Sequence, residues 1–78
     1  MHDLIPLNLL SPGQYANVDA ITGLPEQVHR LEELGLRSGT TVEMVQSGRS
    51  CIIRLAGHKL CLRADELLQV LVRRGALA

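Results

Sequence analysis

Histidine, cysteine and carboxylate side chains could give this sequence a metal site. His29 and Glu33 are four residues apart, and on a helix that spacing brings two side chains to one exposed face. His58 and Cys61 lie in a second segment that we interpret as a hairpin. No pair has the CxxC or HxxxH spacing typical of zinc sites. We therefore predict no bound metal and keep these four residues only as low-ranked candidates. A solvated helix face, a turn residue and an idle exposed thiol explain them better.

Catalysis finds less support than metal binding. The sequence contains no GxSxG elbow, no HExxH helix and no Walker loop. Asp65 and Glu66 are adjacent, so on a strand they cannot both face one cleft, and we place them on a solvated turn. The serines all occupy turn-like positions: Ser11, Ser38, Ser47 and Ser50. Since a nucleophile, a base and an orienting group cannot be assembled, we predict that the chain is not an enzyme and needs no cofactor.

Composition narrows the function further. The chain has 78 residues, which indicates one domain, and 46% of them are hydrophobic. It has no Phe, no Trp and one tyrosine, Tyr15, so the core must be aliphatic. One ring cannot form the stacking platform of single-strand nucleic-acid binders or the aromatic groove of proline-rich peptide binders. A formal net charge of zero also disfavours duplex binding.

The sequence predicts a cytosolic location. No apolar run reaches the roughly 18 residues that a membrane span needs. The first residues, Met1–Pro6, lack the basic region of a signal peptide. In a chain without an export signal, the two cysteines are expected to be free thiols.

The segment Arg30–Thr40 is typical of a helix that stops at a glycine and leads through a tight turn into a strand. Gly35 occupies the C′ position, where a positive φ suits glycine. Leu36 would then be C″ and Leu31 would be C3, the pair that touch in a Schellman ending. This pattern suits a small β-barrel with one inserted helix.

The remaining elements follow from periodicity and turn residues. Leu4, Leu7 and Leu10 predict a cap over one end of the barrel. Thr22 is one candidate helix cap, Pro25 suits the first helical turn, and Leu24, Val28, Leu31 and Leu34 form the apolar stripe. A bend or bulge is expected near Ile21. The predicted strands are 14–22, 40–46, 50–56, 59–63 and 69–73, with a helical turn over 64–68 and a frayed tail within 72–78.

The central hairpin permits a prediction about its faces. If Gly57-His58 is the loop, Leu55 lies opposite Leu60 and Ile53 opposite Leu62. Cys51 then shares their apolar face. Cys61 points the other way, beside a basic stripe of Arg54, Lys59 and Arg63, so a Cys51–Cys61 disulfide is excluded.

Five short strands and one short helix predict a mainly β fold, a small and strongly bent five-stranded barrel whose closure hides the sheet edges. At this point the residues resemble the FeoA-type ferrous iron transport accessory proteins, which have an SH3-like barrel. The resemblance extends from about Leu7 to Val72 and is carried by Leu7, Leu10, Gly13, Val18, Ile21, the run Arg30–Leu36, Gly39, Thr40, Val42, Gly57, Leu60, Leu62 and Arg63.

The resemblance implies a cytosolic accessory protein that regulates ferrous iron uptake by protein contact with FeoB, a permease with a cytosolic GTPase domain. The composition and the short apolar runs predict no nucleic-acid partner and no insertion in the membrane, although FeoB would hold the protein at the inner membrane surface. A related SH3-like domain forms the C-terminal end of the iron-dependent repressors of the DtxR class. The alternative is therefore an iron-responsive metal-binding domain, and a purely oligomerising module is a third possibility.

Two surfaces compete for the partner. The helix patch consists of Gln27, Arg30, Glu33 and Arg37. The hairpin patch consists of Ile52, Arg54, Lys59, Cys61 and Arg63. An apolar residue flanked by arginines suits the centre of an interface, whereas Ile52 could instead pack under the N-terminal leucines.

Overall fold

The computed structural model describes residues 4–74. One antiparallel sheet of six strands dominates it, in the spatial order β1-β6-β2-β3-β4-β5. Its strands are β1 (Leu4–Pro6), β2 (Tyr15–Ile21), β3 (Thr41–Gln46), β4 (Ser50–Leu55), β5 (His58–Arg63) and β6 (Val70–Arg74). Helix α1 (Pro25–Glu33) joins β2 to β3, the single turn α2 (Ala64–Leu67) joins β5 to β6, and a 3₁₀ turn (Leu7–Leu9) follows β1.

The predicted fold class, mainly β with one short helix, is confirmed, but the strand count is six instead of five. The extra strand is Leu4–Pro6, which the spacing of leucines had assigned to the cap; it pairs with β6 from Leu4↔Arg73 to Pro6↔Leu71. Only the 3₁₀ turn that follows it is cap-like. Within residues 4–74, β1 and β5 do not pair, so the ladder stops short of the predicted closure and leaves both as edge strands.

The core is aliphatic, as the composition predicts. Every buried residue in the described part of the chain is apolar, including Leu7 and Leu10 beside the sheet. Val72 is also buried and pairs with both Ile5 and Val18. Residues 72–74 therefore belong to β6, which corrects the tail predicted to begin at residue 72. Residues 75–78 of that tail lie outside the described residues.

Helix α1 ends as predicted. The Leu36 amide donates to the Leu31 carbonyl oxygen at 3.1 Å, and the Gly35 amide donates to the Glu32 carbonyl oxygen at 3.0 Å. Gly35 has a φ of 109°. These two bonds define a Schellman ending, and the apolar pair Leu31 and Leu36 is buried beneath it.

The start of α1 differs from the prediction in its cap. Pro25 is the first helical residue, as expected, but Leu24 is the N-cap, and its amide donates to the Gln27 side-chain oxygen at 3.2 Å. Thr22 is occupied elsewhere, since its hydroxyl donates to the Gln69 carbonyl oxygen at 3.2 Å. Leu24 is 62% exposed, so it does not contribute to the buried side of α1, where Leu31 is buried and Leu34 packs against the core.

The β4–β5 hairpin has its loop one residue earlier than predicted. Ala56 and Gly57 form the loop with φ values of 50° and 83°, and two successive positive φ angles fit a type I′ turn. Ile53 consequently pairs with Leu60 and Leu55 with His58, two residues away from the predicted partners. A shift of two keeps each side chain on its face. Cys51 is buried and Cys61 exposed, as predicted, and both are free thiols.

Strand β2 carries the predicted irregularity. Its register against β6 shifts between Val18 and Ala20, just before Ile21. Among residues 4–74, no helix has the length and apolar character required to cross a membrane.

Candidate partner-binding surface

The residues of the hairpin patch lie together on the outer face of β4 and β5. Arg54 pairs with Lys59 and Ile52 with Cys61 in the strand register. The Arg54 Nη1 atom is 2.8 Å from the Glu43 Oε1 atom on β3, so one cation of the predicted basic stripe is neutralised. The stripe thus keeps its predicted geometry but carries less charge than expected, because a neighbouring strand supplies a carboxylate.

Ile52 occupies the centre of this patch. It is half-buried, lies opposite Cys61, and does not belong to the residues that pack against the core. Leu7 and Leu10 are instead part of the core itself. Of the two readings of Ile52, the structure therefore favours the outer-face position over packing under the N-terminal leucines.

A shallow groove of about 220 Å³ borders the hairpin patch. The register aligns Tyr15 with Glu43, Glu43 with Arg54, and Arg54 with Lys59, which forms one row of side chains across four strands. Tyr15, the single aromatic residue, is 58% exposed at the end of that row. Sequence reasoning missed this groove because it depends on the pairing of β2 with β3.

The helix patch is largely engaged in structural contacts. Gln27 accepts the Leu24 amide, and the Nε atom of Arg37 donates to the Glu32 carbonyl oxygen at 3.1 Å. The Arg30 guanidinium forms an ion pair and hydrogen bond with Glu66 on α2. These side chains close the two ends of α1 and tie it to α2, so they are less available to a partner than the hairpin patch.

Glu66 lies on the predicted helical turn, but its side chain makes structural contacts that the sequence analysis did not predict. Its side chain is 25% exposed and is held between the Arg30 guanidinium and the Arg63 amide, which donates to Oε1 at 3.2 Å. The hydrogen bond from Arg30 is the largest cause that lowers the pKa of Glu66, the Arg63 amide adds to it, and desolvation opposes both. A glutamate at the third position of a helical turn is a capping signal that could have identified it.

The candidate metal ligands meet only in part. The His29 Nε2 atom is 3.7 Å from Glu33 Oε2 on the exposed face of α1, as the spacing predicts. The His58 Nδ1 atom is 3.3 Å from the Ala56 carbonyl oxygen, within its own turn. Cys61 is three residues along the same strand and thus on the opposite face. Across the described residues, no three His, Cys, Asp or Glu side chains gather into a group able to hold a metal ion.

The chain is similar in structure to solved FeoA proteins. It superposes on the crystal structure of an iron uptake regulatory protein, FeoA, with a TM-score of 0.87 and 25% identity, covering 94% of this chain and 100% of the other. It matches Stenotrophomonas maltophilia FeoA with a TM-score of 0.79 and 28% identity over 87% of this chain and 88% of the other. That protein was crystallised with zinc and is described as a prokaryotic SH3 domain protein and a candidate ferrous iron transport activating factor.

The same fold occurs in T. acidophilum IdeR. That structure gives a TM-score of 0.83 at 16% identity over 92% of this chain but 34% of the other, a likeness of fold alone. A comparison with curated proteins finds no match. The model of the FeoA domain family, however, matches residues 5–74. Since this match spans nearly the whole sequence and agrees with the fold, the chain belongs to the FeoA domain family.

Proposed function

We propose that this protein is a non-enzymatic accessory factor of ferrous iron uptake that acts by binding the cytosolic region of a FeoB-type permease. It would work in the cytoplasm and reach the inner membrane surface through that partner. The family match over residues 5–74 is the observation that carries the proposal. The description of the Stenotrophomonas relative as a candidate transport activating factor agrees with it.

The distribution of side chains supports a role at the surface. The buried residues of the described chain form one apolar cluster, so the groups able to bind or react lie outside it. On the outer face of the hairpin, Ile52 is half-buried while Arg54, Lys59 and Arg63 are exposed around it. An apolar centre within a cationic rim is the arrangement of a protein interface.

Direct binding tests this proposal. The purified cytosolic domain of the permease is titrated with the full chain, with and without guanine nucleotide. We expect saturable binding that Arg63→Glu weakens, since Arg63 belongs to the hairpin patch. The matched variant Arg37→Glu makes the same charge change on the helix patch and should bind like the wild type. Absence of binding in every nucleotide state would contradict the proposed function.

The contact between His29 and Glu33 supports a second candidate, an iron-responsive metal-binding domain. Imidazole nitrogen and carboxylate oxygen are suitable ligands for a ferrous ion, and the two atoms already lie 3.7 Å apart. Calorimetric titration with Fe²⁺ or Mn²⁺ tests this candidate. Heat that disappears in His29→Ala would support it, and the absence of heat at millimolar metal would remove it.

A further inference from the structure

We propose that the free edge of β5 pairs with an extended acidic segment of a partner protein, which adds a seventh strand to the sheet. The inference rests on the proposed binding function and specifies the contact by which a partner would be held. Edge pairing is a common mode of peptide recognition, in which main-chain hydrogen bonds supply affinity and alternate side chains supply specificity.

The two edges of the sheet differ in their capacity for pairing. Strand β1 has three residues and ends at Pro6, which has no amide hydrogen to donate. Strand β5 has six residues, His58–Arg63, and contains no proline. Of the two edge strands that the structure describes, β5 is therefore the one able to receive another strand.

The hairpin register shows which backbone groups face the free edge. In a two-residue hairpin the residues that flank the loop, here Leu55 and His58, form a hydrogen-bonded pair, and such pairs then alternate along the ladder. The amide and carbonyl groups of Lys59, Cys61 and Arg63 therefore point away from β4. The contact of the Arg63 amide with Glu66 Oε1 agrees with this, since it lies on the side opposite to β4.

The groups of Lys59 and Cys61 remain open. Within residues 4–74, neither residue forms a backbone hydrogen bond outside the strand ladder. The Arg63 amide donates to Glu66, which limits the free edge at one end, and the loop at Gly57 limits it at the other. Two donors and two acceptors are thus available to an incoming strand, centred on Leu60.

The charges along this edge select an acidic occupant. The side chains of Lys59 and Arg63 are exposed, and neither lies within an ion pair in the described part of the chain. On the neighbouring elements, Glu66 of α2 faces Arg30 and Glu43 of β3 faces Arg54, while Asp65 of α2 is exposed.

A second copy of the chain fits this edge poorly. In an antiparallel pair of two β5 strands that uses the Lys59 and Cys61 groups, Lys59 of one copy lies opposite or diagonal to Lys59 or Arg63 of the other. Like charges at such positions destabilise a pair of strands. The same lysine that discourages self-pairing would attract a strand of opposite charge.

The pleat also specifies the pattern of the ligand. Lys59 and Cys61 point to the outer face, whereas Leu60 between them is half-buried and packs against the core. A paired strand would place its outward residues beside Lys59 and its inward residue beside Leu60. The fitting sequence therefore alternates carboxylate and β-branched apolar residues.

The experiment titrates the full chain, enriched in ¹⁵N, with the end-capped peptide Glu-Val-Glu-Val-Glu. We expect saturable shifts of the Lys59 and Cys61 amide signals, and slower hydrogen exchange at both amides. The peptide Lys-Val-Lys-Val-Lys tests the charge, and Glu-Val-Pro-Val-Glu tests the backbone pairing. Neither should bind measurably. Absence of binding by the acidic peptide, or self-association through β5, would overturn the inference.

Variants separate edge pairing from simple charge attraction. Cys61→Pro removes an amide that faces the free edge and leaves the ladder with β4 intact, so the peptide should bind at least about tenfold more weakly. Lys59→Glu should weaken it similarly without altering the backbone, and Arg37→Glu is the charge-matched control away from the edge. Unchanged binding to both Cys61→Pro and Lys59→Glu would overturn the inference.

The permease domain then separates this inference from the proposed function. Equal binding of the domain to the wild type and to Cys61→Pro would overturn the edge contact and leave the proposed function standing. Failure of the domain to bind either protein would overturn the proposed function, and the peptide titration would still decide whether the edge accepts an acidic strand.

Discussion

The end of helix α1 and the tip of the β4–β5 hairpin are both tight turns that contain glycine, yet they treat their polar groups differently. At the end of α1, the amides of Gly35 and Leu36 satisfy the helix carbonyls above a buried leucine pair. Beside the hairpin tip, the backbone groups of Lys59 and Cys61 face a free edge. A region whose backbone amides and carbonyls bond to one another stabilises the fold. A strand edge whose backbone groups have no partner, but which is held in place by the neighbouring strand, is available for binding.

The largest effect on stability is expected from truncating Leu31, which packs the C-terminal end of helix α1 into the core. Leu31 is 2% exposed, so Leu31→Ala should reduce the free energy of unfolding by about 2–5 kcal/mol through lost burial and a cavity. Urea denaturation followed by circular dichroism measures the change. Leu24→Ala, on the exposed residue at the other end of α1, should change stability by less than about 0.5 kcal/mol. Equal losses in the two variants would show that α1 is not anchored through its C-terminal end.

The glycine of the Schellman ending gives the next largest effect. Gly35→Ala would force an alanine to a φ of 109° and bring its Cβ to 3.1 Å from Leu55 Cδ1, so we expect a loss of about 1–2 kcal/mol. Gly39→Ala is the control: Gly39 has a φ of 93°, but a Cβ there meets nothing within 4 Å. The difference between the two variants isolates the contact with Leu55. A smaller loss for Gly35→Ala than for Gly39→Ala would contradict the close approach.

At the hairpin tip, a substitution is expected to raise the free energy of unfolding instead of lowering it. Ala56 has a φ of 50°, a strained angle for alanine that asparagine tolerates well in a type I′ turn followed by glycine. Ala56→Asn should therefore raise the free energy of unfolding by about 0.5–1 kcal/mol. Thermal denaturation measures it, and Ala56→Val, which is β-branched, should lower stability instead. A destabilised asparagine variant would mean that this turn is not of type I′.

Glu66 joins the two regions, since it contacts Arg30 of α1 and closes the edge of β5 at Arg63. Glu66→Gln should cost about 0.5 kcal/mol at neutral pH. Because the folded pKa of Glu66 lies below its unfolded value, its contribution is complete above the unfolded pKa and is lost as the pH falls through the folded pKa.

Denaturation of the wild type and of Glu66→Gln between pH 7 and pH 3 tests this sign. The two stability curves should converge toward the acid end of that range. Asp65→Asn provides a neighbouring exposed carboxylate as the control. Parallel curves for the wild type and Glu66→Gln would contradict the lowered pKa.

Much of the fold was predictable because its signals are local. The Schellman ending, the opposite faces of Cys51 and Cys61, and the irregularity before Ile21 each follow from residues within one element or one turn. The hairpin loop was predicted one residue late, because glycine can occupy either position of a two-residue loop and the residue beside it decides the turn type. The face to which each side chain points was still predicted correctly, because a shift of two residues preserves the alternation of the pleat.

The candidate surface was less predictable, because its members are distant in the sequence. The ion pair of Arg30 with Glu66 spans 36 residues, and no local pattern pairs those two side chains. The partner of Arg54, Glu43, depends on the register of β3 with β4. The sequence identified the residues of the hairpin patch as a group, but it did not show which of their charges were already compensated.

By itself, the sequence determined most of the elements, the aliphatic core and the alternation of faces along the hairpin, because backbone propensity and side-chain period act over a few residues. Only the tertiary structure decided that Leu4–Pro6 is a strand, that Glu66 joins α1 to β5, and that the ladder leaves β5 as an open edge. Each of these depends on a contact between distant segments. Such contacts form when the sheet bends and the core closes, and no local pattern encodes them.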